Sequence, residues 1–146
     1  MIAVDTNILV YAFREDSPWH EKAYQKVQEL GEGAGPWAIP WPCIHEFLSI
    51  VTHPRIYRPP ADPEIALRAV EAWMTSPTLR LLAENASYWG ELAAMTRLAK
   101  TRGPRIHDAR IAALCLSHGV KELWSADRDF TSFPKLRARN PLIEAG

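Results

Sequence analysis

The sequence has little cysteine, no surplus charge of either sign and no long hydrophobic run. Its two thiols, Cys43 and Cys115, stand at no metal-like spacing, which excludes a zinc ribbon or finger. Both fall inside apolar helical patterns, where cysteine acts as a small buried hydrophobe rather than half of a disulfide. Lysine plus arginine number 17, as do aspartate plus glutamate, so the formal net charge is zero. That balance decides nothing about nucleic acid, because acids gathered at a site can cancel bases placed around it. The apolar N-terminal stretch MIAVDTNILVYAF is too short to span a bilayer, lacks a basic leader and already carries Asp5 and Asn7. The expectation is a cytoplasmic protein with no membrane segment.

What is present is a chain of 146 residues, 47% of them apolar. That is enough to build a core without staples and fits a single domain over residues 1–146. Ile2 to Val4 reads as a short buried strand ending at Asp5, followed by a helix from Thr6 to Phe13. Ser17-Pro18 opens a second helix that runs to about Leu30 and stops among Gly31, Gly33 and Gly35. Trp37 to Pro40 predicts a second strand, and Trp41-Pro42 starts a helix through about Thr52. Arg55 to Pro63 reads as a loop, with Asp62-Pro63 capping a helix to about Thr75. Further strands are expected at Leu79–Ala83, Glu122–Ser125 and Leu136–Ala138, and further helices at Ser87–Arg102 and Ile106–His118, the last closed by Gly119. Strands separated by helices throughout imply a three-layer α/β/α fold with a central parallel sheet of four to five strands.

Five carboxylates stand where an ordinary core would not put them. Asp5 directly follows the first buried strand, the place where open α/β sheets bind ligands; a helix cap explains it equally well. Glu46 lies off the apolar stripe formed by Ile44, Phe47, Leu48 and Val51, at the edge of the buried surface. A solvated flank is its ordinary reading. Asp108 heads the stripe Ile111, Ala112 and Cys115, and a carboxylate facing a core needs a partner. Its position in the first helical turn would favour an anion, so a capping role is also open. Asp127 and Asp129 follow the fourth strand two residues apart, where a tight turn could use both. Taken together they form a pattern. If the first and fourth strands are neighbours, several acids within about 5 Å of one another repel and cannot all stay charged unaided. A hard divalent cation resolves that, since magnesium and manganese bind through a few carboxylates and water. No histidine or cysteine cluster competes.

These residues resemble the PIN-domain family and, within it, the VapC toxins. Val4-Asp5-Thr6-Asn7-Ile8-Leu9-Val10-Tyr11-Ala12 is similar to the family's opening motif, Glu46-Phe47 to its second acid, His107 through Leu114 to its third, and Ser125 through Phe130 to its fourth. The resemblance covers nearly the whole chain. It implies a Mg2+- or Mn2+-dependent endoribonuclease that cleaves structured RNA, tRNA or rRNA, by a water that the metal activates. It implies Asp5, Glu46, Asp108 and Asp127 as catalytic metal-site acids, with Asp129 as a further ligand or outer support. Asn7 would orient Asp5, and Ser125 would hydrogen-bond within the site. A homodimer, and a cognate VapB-type antitoxin joined to the toxin in a hetero-oligomer, are implied as well.

Arg14, Arg105, Arg110 and Arg128 lie near the motifs and are candidate RNA contacts, with Arg55 and Arg58 adding reach; phosphate contacts of this kind give affinity without sequence discrimination. His107 is expected to pack rather than to touch RNA. Trp73, Trp89 and Trp124 are expected as core or dimer contacts, and Trp19 and Trp41 as the more exposed tryptophans. Three alternatives stay open: a PIN-type nuclease on other RNA or DNA substrates, a catalytically inactive PIN scaffold, and a signalling receiver domain. The last wants an aspartate after a central strand and a lysine after a late one, which Leu79–Glu84 and the segment from Ser125 do not supply.

Overall fold

Ile2–Val4 forms strand β1, and its short apolar run sits at the centre of the sheet. The computed structural model describes residues 1–143, so the expected domain end at Gly146 lies outside the described residues. After β1 come α1 (Thr6–Phe13), α2 (His20–Glu32), β2 (Trp37–Pro40), α3 (Trp41–Val51), α4 (Pro63–Met74), β3 (Leu79–Leu82), α5 (Tyr88–Leu98), α6 (Ile106–Ser117), β4 (Glu122–Trp124) and β5 (Arg137–Arg139). Single 3-10 turns occupy Gly103–Arg105 and Arg128–Ser132.

The five strands are parallel, in the order β3-β2-β1-β4-β5. Ala3 pairs with Ala38 on one side and Leu123 on the other. All three are fully buried, as strands covered on both faces must be. The chain adds β2 and β3 on one side of β1, then returns to place β4 and β5 on the other. The order therefore reverses between β1 and β4, and that junction is where such sheets open a crevice beyond the strand ends. Helix contacts fall into two groups, α1 with α2 and α3 and α3 with α4 in one, and α5 with α6 in the other. Phe47 locks the first group. It meets the Phe13 ring edge-on at 5.4 Å and the Trp73 ring at 4.9 Å, which fixes α3 against α1 and α4.

Helix limits differ from the sequence reading where local hydrogen bonds intervene. The Ser17 hydroxyl accepts from the Trp19 amide, closing a turn, so α2 starts at His20 instead of at Ser17. Helix α5 stops at Leu98 rather than continuing to Arg102. Lys100 takes a left-handed backbone (φ 50), and the Thr101 amide donates to the Thr96 carbonyl at 3.0 Å. This paired closure usually employs glycine, so a lysine there gave no stop signal.

Helix α6 ends the same way, with Gly119 at φ +74 and the Val120 amide on the Cys115 carbonyl at 2.9 Å. That turn feeds Val120 into the core and aims β4 at the site. Gly119→Ala meets no steric obstacle, since a Cβ would find nothing within 4 Å. Its effect is backbone strain alone, and a loss of about 1 kcal/mol is expected in urea unfolding with the slope unchanged. No helix among the described residues is long and apolar enough to cross a membrane.

Candidate active site

Asp5 is the first residue beyond β1, and its amide still donates to the Trp124 carbonyl at 2.9 Å, extending the β1–β4 pairing. It caps α1, as the simplest sequence reading allowed. Its Oδ1 accepts from the Thr6 amide at 2.8 Å. It also does more. Oδ2 accepts from the Ser125 hydroxyl at 2.6 Å and from Asn7 Nδ2 at 3.4 Å, and Oδ1 takes a weak bond from the Cys43 thiol at 3.6 Å. The side chain is only 4% exposed, and burial pushes its pKa from 3.8 up to about 6 against the opposing pull of Ser125 and Thr6. The nearby Glu46 charge pushes the same way. This carboxylate is held ready in a place that disfavours its charge.

Ser125 and Asn7 join the two halves of the sheet. Asn7 Oδ1 accepts from the Ala126 amide at 3.1 Å, and its Nδ2 donates to Ser125 Oγ at 3.2 Å. Ser125 Oγ in turn accepts from the Asp127 amide at 3.0 Å. The Asp127 carboxylate accepts from the Asp129 amide at 2.9 Å and caps the short turn behind it. A continuous network thus runs from Asp5 to Asp129 across the β1–β4 junction.

Glu46 is exposed on α3, one residue from buried Phe47, and its Oε2 accepts from the Thr6 hydroxyl at 3.0 Å. Thr6 therefore touches both acids, a link that sequence reasoning missed. The buried stripe of α3 includes Cys43, with Leu48 only partly covered, and this turns Glu46 towards Asp5. Asp108 is half-buried on α6. It does not cap that helix, whose N-cap is Arg105 with no side-chain bond. Burial raises the Asp108 pKa, and the Asp127 and Asp129 charges raise it further. Helix α6 is buried nearly all round, from Ala109 to Cys115, so Asp108 marks its open end rather than one stripe.

Asp5, Glu46, Asp108 and Asp127 line one small hollow of about 130 Å³, together with Thr6, Asn7 and Phe130. Asp108, Asp127 and Asp129 each bring a carboxylate oxygen to within 4.8 Å of the other two. Oxygens on opposite sides of a magnesium ion stand about 4.2 Å apart, since each bond is about 2.1 Å. The three oxygens lie within 4.8 Å of one another, about 0.6 Å wider at most than that span, so modest side-chain movement would close them on one ion. An all-oxygen donor set, a half-buried carboxylate beside two like charges and a buried carboxylate with a raised pKa all fit a hard divalent cation. A larger hollow of about 670 Å³ lies between α1, α2 and α4, lined by Phe13, Val27, Trp37 and Trp73, and holds none of these acids.

The basic candidates separate. Arg105 donates to the Asp129 carbonyl at 3.4 Å and to the Ser132 hydroxyl at 3.2 Å, which keeps it beside the acids. Arg110 faces Glu84 at 3.8 Å, and Arg128 is exposed at the turn after Asp127. Arg14 is elsewhere. It follows α1 nine residues after Asp5, roughly 13 Å along the helix axis. There it bonds Asp16 at 2.6 Å and covers the Tyr57 ring at 4.1 Å, securing the loop that contains Arg55 and Arg58. His107 is exposed, not packed, because its backbone lies in the first turn of α6 at the rim. Trp89 is 72% exposed rather than part of the core, while Trp124 is buried and Trp73 packs on Phe47 as expected. Trp41 is half-covered, stacked on His45.

Residues 2–136 match the PIN domain family. Ribonuclease VapC48 of Mycobacterium tuberculosis is 34% identical over 137 residues, covering 94% of each chain. Among solved structures, VapBC2 from Rickettsia felis, bound to a DNA fragment from its promoter, superposes with a TM-score of 0.65 at 20% identity, covering 95% of this chain and 98% of that one. VapC20 of Mycobacterium tuberculosis, a sarcin-ricin-loop-cleaving toxin, gives a TM-score of 0.65 at 17% identity over 94% and 99% of the two chains. With the family matched over nearly its full length and a relative one-third identical along it, the chain belongs to the PIN-domain family and, within it, stands with the VapC proteins.

Proposed function

We propose that this protein is a metal-dependent endoribonuclease and the toxin of a VapBC-type toxin–antitoxin pair, acting on structured RNA such as tRNA or rRNA in the cytoplasm. One PIN domain carries the activity. The observation behind this reading is the convergence of four acids, Asp5, Glu46, Asp108 and Asp127, from four separate stretches of chain on one hollow at the β1–β4 junction, with Asp129 close to Asp108 and Asp127. A receiver domain would not need that set, and a scaffold that only binds partners would have no reason to bury Asp5 at the cost of its charge. The VapC48 relative is named a ribonuclease, and the VapBC2 neighbour is a VapBC structure bound to promoter DNA, which supports a VapB-type partner; a homodimer within that hetero-oligomer is part of the same proposal.

Asp108, Asp127 and Asp129 would hold Mg2+, or Mn2+ in its place, with Asp5 and Glu46 on the same hollow. When bound, the ion activates a water for in-line attack and neutralises charge on the phosphoryl group. Asp5 keeps its short bonds to Thr6 and Ser125, and its two long ones, to Asn7 and Cys43, leave lone pairs that a cation can take. Arg105, Arg110 and Arg128 would meet flanking phosphates.

The test sets purified protein against tRNA, rRNA and DNA of matched sequence, with Mg2+, with Mn2+ and with EDTA. RNA cut only with metal is expected. Equal cutting of DNA, or cutting that survives EDTA, would overturn the reading. Co-expression with a VapB-type antitoxin that binds this chain should silence the activity.

Ser125→Ala removes the strongest bond to Asp5 and the anchor of the Asp127 amide. A fall of about 10- to 100-fold in kcat/KM is expected, the usual effect of losing an outer support of a metal site. The Ser125 bond lowers the Asp5 pKa, so its loss should also move the acid limb of the pH–rate profile upward. A purely structural serine would leave that limb in place.

A further inference from the structure

Beside the acidic hollow lies a second one of about 530 Å³, and the two share Glu46, Asp108 and Ile111. The size difference separates their uses. The smaller space suits an ion and a few waters, whereas the larger falls in the range of small-molecule pockets. Its walls also differ in chemistry. Pro42 and Pro104 give apolar edges, His45 and His107 present imidazole rings from α3 and α6, and Arg110 supplies a fixed positive charge. His45 is backed by the Trp41 ring, stacked at 6.1 Å between centroids and 27° between planes, which presets its orientation. Arg110 is held by a 3.8 Å contact with half-exposed Glu84 and by a side-chain hydrogen bond with Tyr88, and an incoming anion would compete with the exposed Glu84 carboxylate for it.

We infer that this second hollow is a nucleotide subsite that receives the base and sugar next to the scissile phosphate. His45 and His107 flank the base, and Arg110 meets the following phosphate. Unpaired bases are held by stacking on aromatic and imidazole faces, which these walls provide beside the acids. The continuity of the two hollows through Glu46 and Asp108 places a bound nucleotide's phosphate at the carboxylates without rearrangement. The inference rests on the ribonuclease reading for its meaning, and its test does not require cleavage.

The experiment titrates the protein in Mg2+ with each of the four ribonucleoside 5′-monophosphates, observing the imidazole Hε1 resonances of its five histidines. His45 and His107 should shift saturably, while His20, His53 and His118 stay still. The double variant His45→Ala, His107→Ala should weaken nucleotide binding at least tenfold and raise KM for RNA more than it lowers kcat. Mg2+ affinity should remain that of the wild type. Shifts spread over all five histidines, no shift at about 10 mM nucleotide, or unchanged binding by the double variant would each overturn the subsite. Selective shifts in a protein that cuts no RNA would sink the ribonuclease reading and leave the subsite standing. Cleavage without selective shifts would do the reverse.

Discussion

Asp108→Asn is expected to lower RNA cleavage by about 10²–10³-fold while the metal-free protein melts at or above the wild-type temperature. A single preorganised group that stabilises developing charge contributes about 10²–10³ in rate, and Asp108 sits where three carboxylates would share one ion. The amide is nearly isosteric and cannot offer a charged oxygen. The fold does not depend on the lost charge. Asp108 caps nothing, and burial first, then repulsion by the charges of Asp127 and Asp129, raise its pKa. Removing one of three like charges relieves that repulsion when no cation is present. The paired outcome is the diagnostic part. Kinetics on RNA, calorimetric titration with Mg2+ and thermal melts in EDTA together read it. Cleavage within tenfold of the wild type, or unaltered Mg2+ affinity, would remove Asp108 from the site.

The parts of this site that were legible in the sequence are those set by chain position. Asp5, Asp127 and Asp129 follow short apolar strands, and a parallel sheet puts every strand end on one edge. The order β3-β2-β1-β4-β5 was not itself readable, only the condition that β1 and β4 be neighbours for the acids to meet. Glu46 was visible as an acid off the apolar stripe of its helix, and Asp108 as one heading the stripe of its own. What escaped were contacts between residues each ordinary alone. Thr6 reads as a helix start yet bridges Asp5 and Glu46. Cys43 reads as a buried apolar side chain, which it is, yet its thiol lies on the Asp5 carboxylate. Arg14 reads as a basic residue near the first motif, but helix geometry carries it to the far end of α1 and into the grip of Asp16 and Tyr57. Lys100 hid a helix stop because its left-handed backbone has no residue-type signal. Distance along a helix and side-chain partners across the sheet are three-dimensional quantities, and one-dimensional spacing does not hold them.

Asp5→Asn should stabilise the metal-free protein at neutral pH and destabilise it by about 1–2 kcal/mol near pH 4, where only the lost Ser125 hydrogen bond counts. The sign follows from the two protonation equilibria. The folded carboxyl binds its proton with a pKa of about 6, against 3.8 for the free side chain. Between those values the folded chain retains the proton that the unfolded chain has lost, so stability falls as pH rises from about 4 to about 6 and stays low above. The gap corresponds to about 3 kcal/mol of strain in the ionised, metal-free site. Asparagine carries no charge to desolvate. Its oxygen can still accept from the Thr6 amide, and its Nδ2 can donate to Ser125 Oγ, but the hydroxyl bond to Asp5 is lost. Allowing about 1–2 kcal/mol for that loss, a net gain of about 1–2 kcal/mol remains, a rise of roughly 3–8 °C in Tm at pH 7.5 in EDTA. Mg2+ should then narrow or reverse the ranking, raising the Tm of the wild type more than that of the variant, because an ion held by Asp108, Asp127 and Asp129 lies on the same hollow as the carboxylate that folding strains. The same equilibrium governs activity. At limiting Mg2+, wild-type cleavage should decline as pH drops towards about 6, where protons compete with the cation for the hollow that Asp5 lines, and excess Mg2+ should move that decline to lower pH. If Asp5→Asn melts at or below the wild type in EDTA at pH 7.5, the buried Asp5 charge is not under strain.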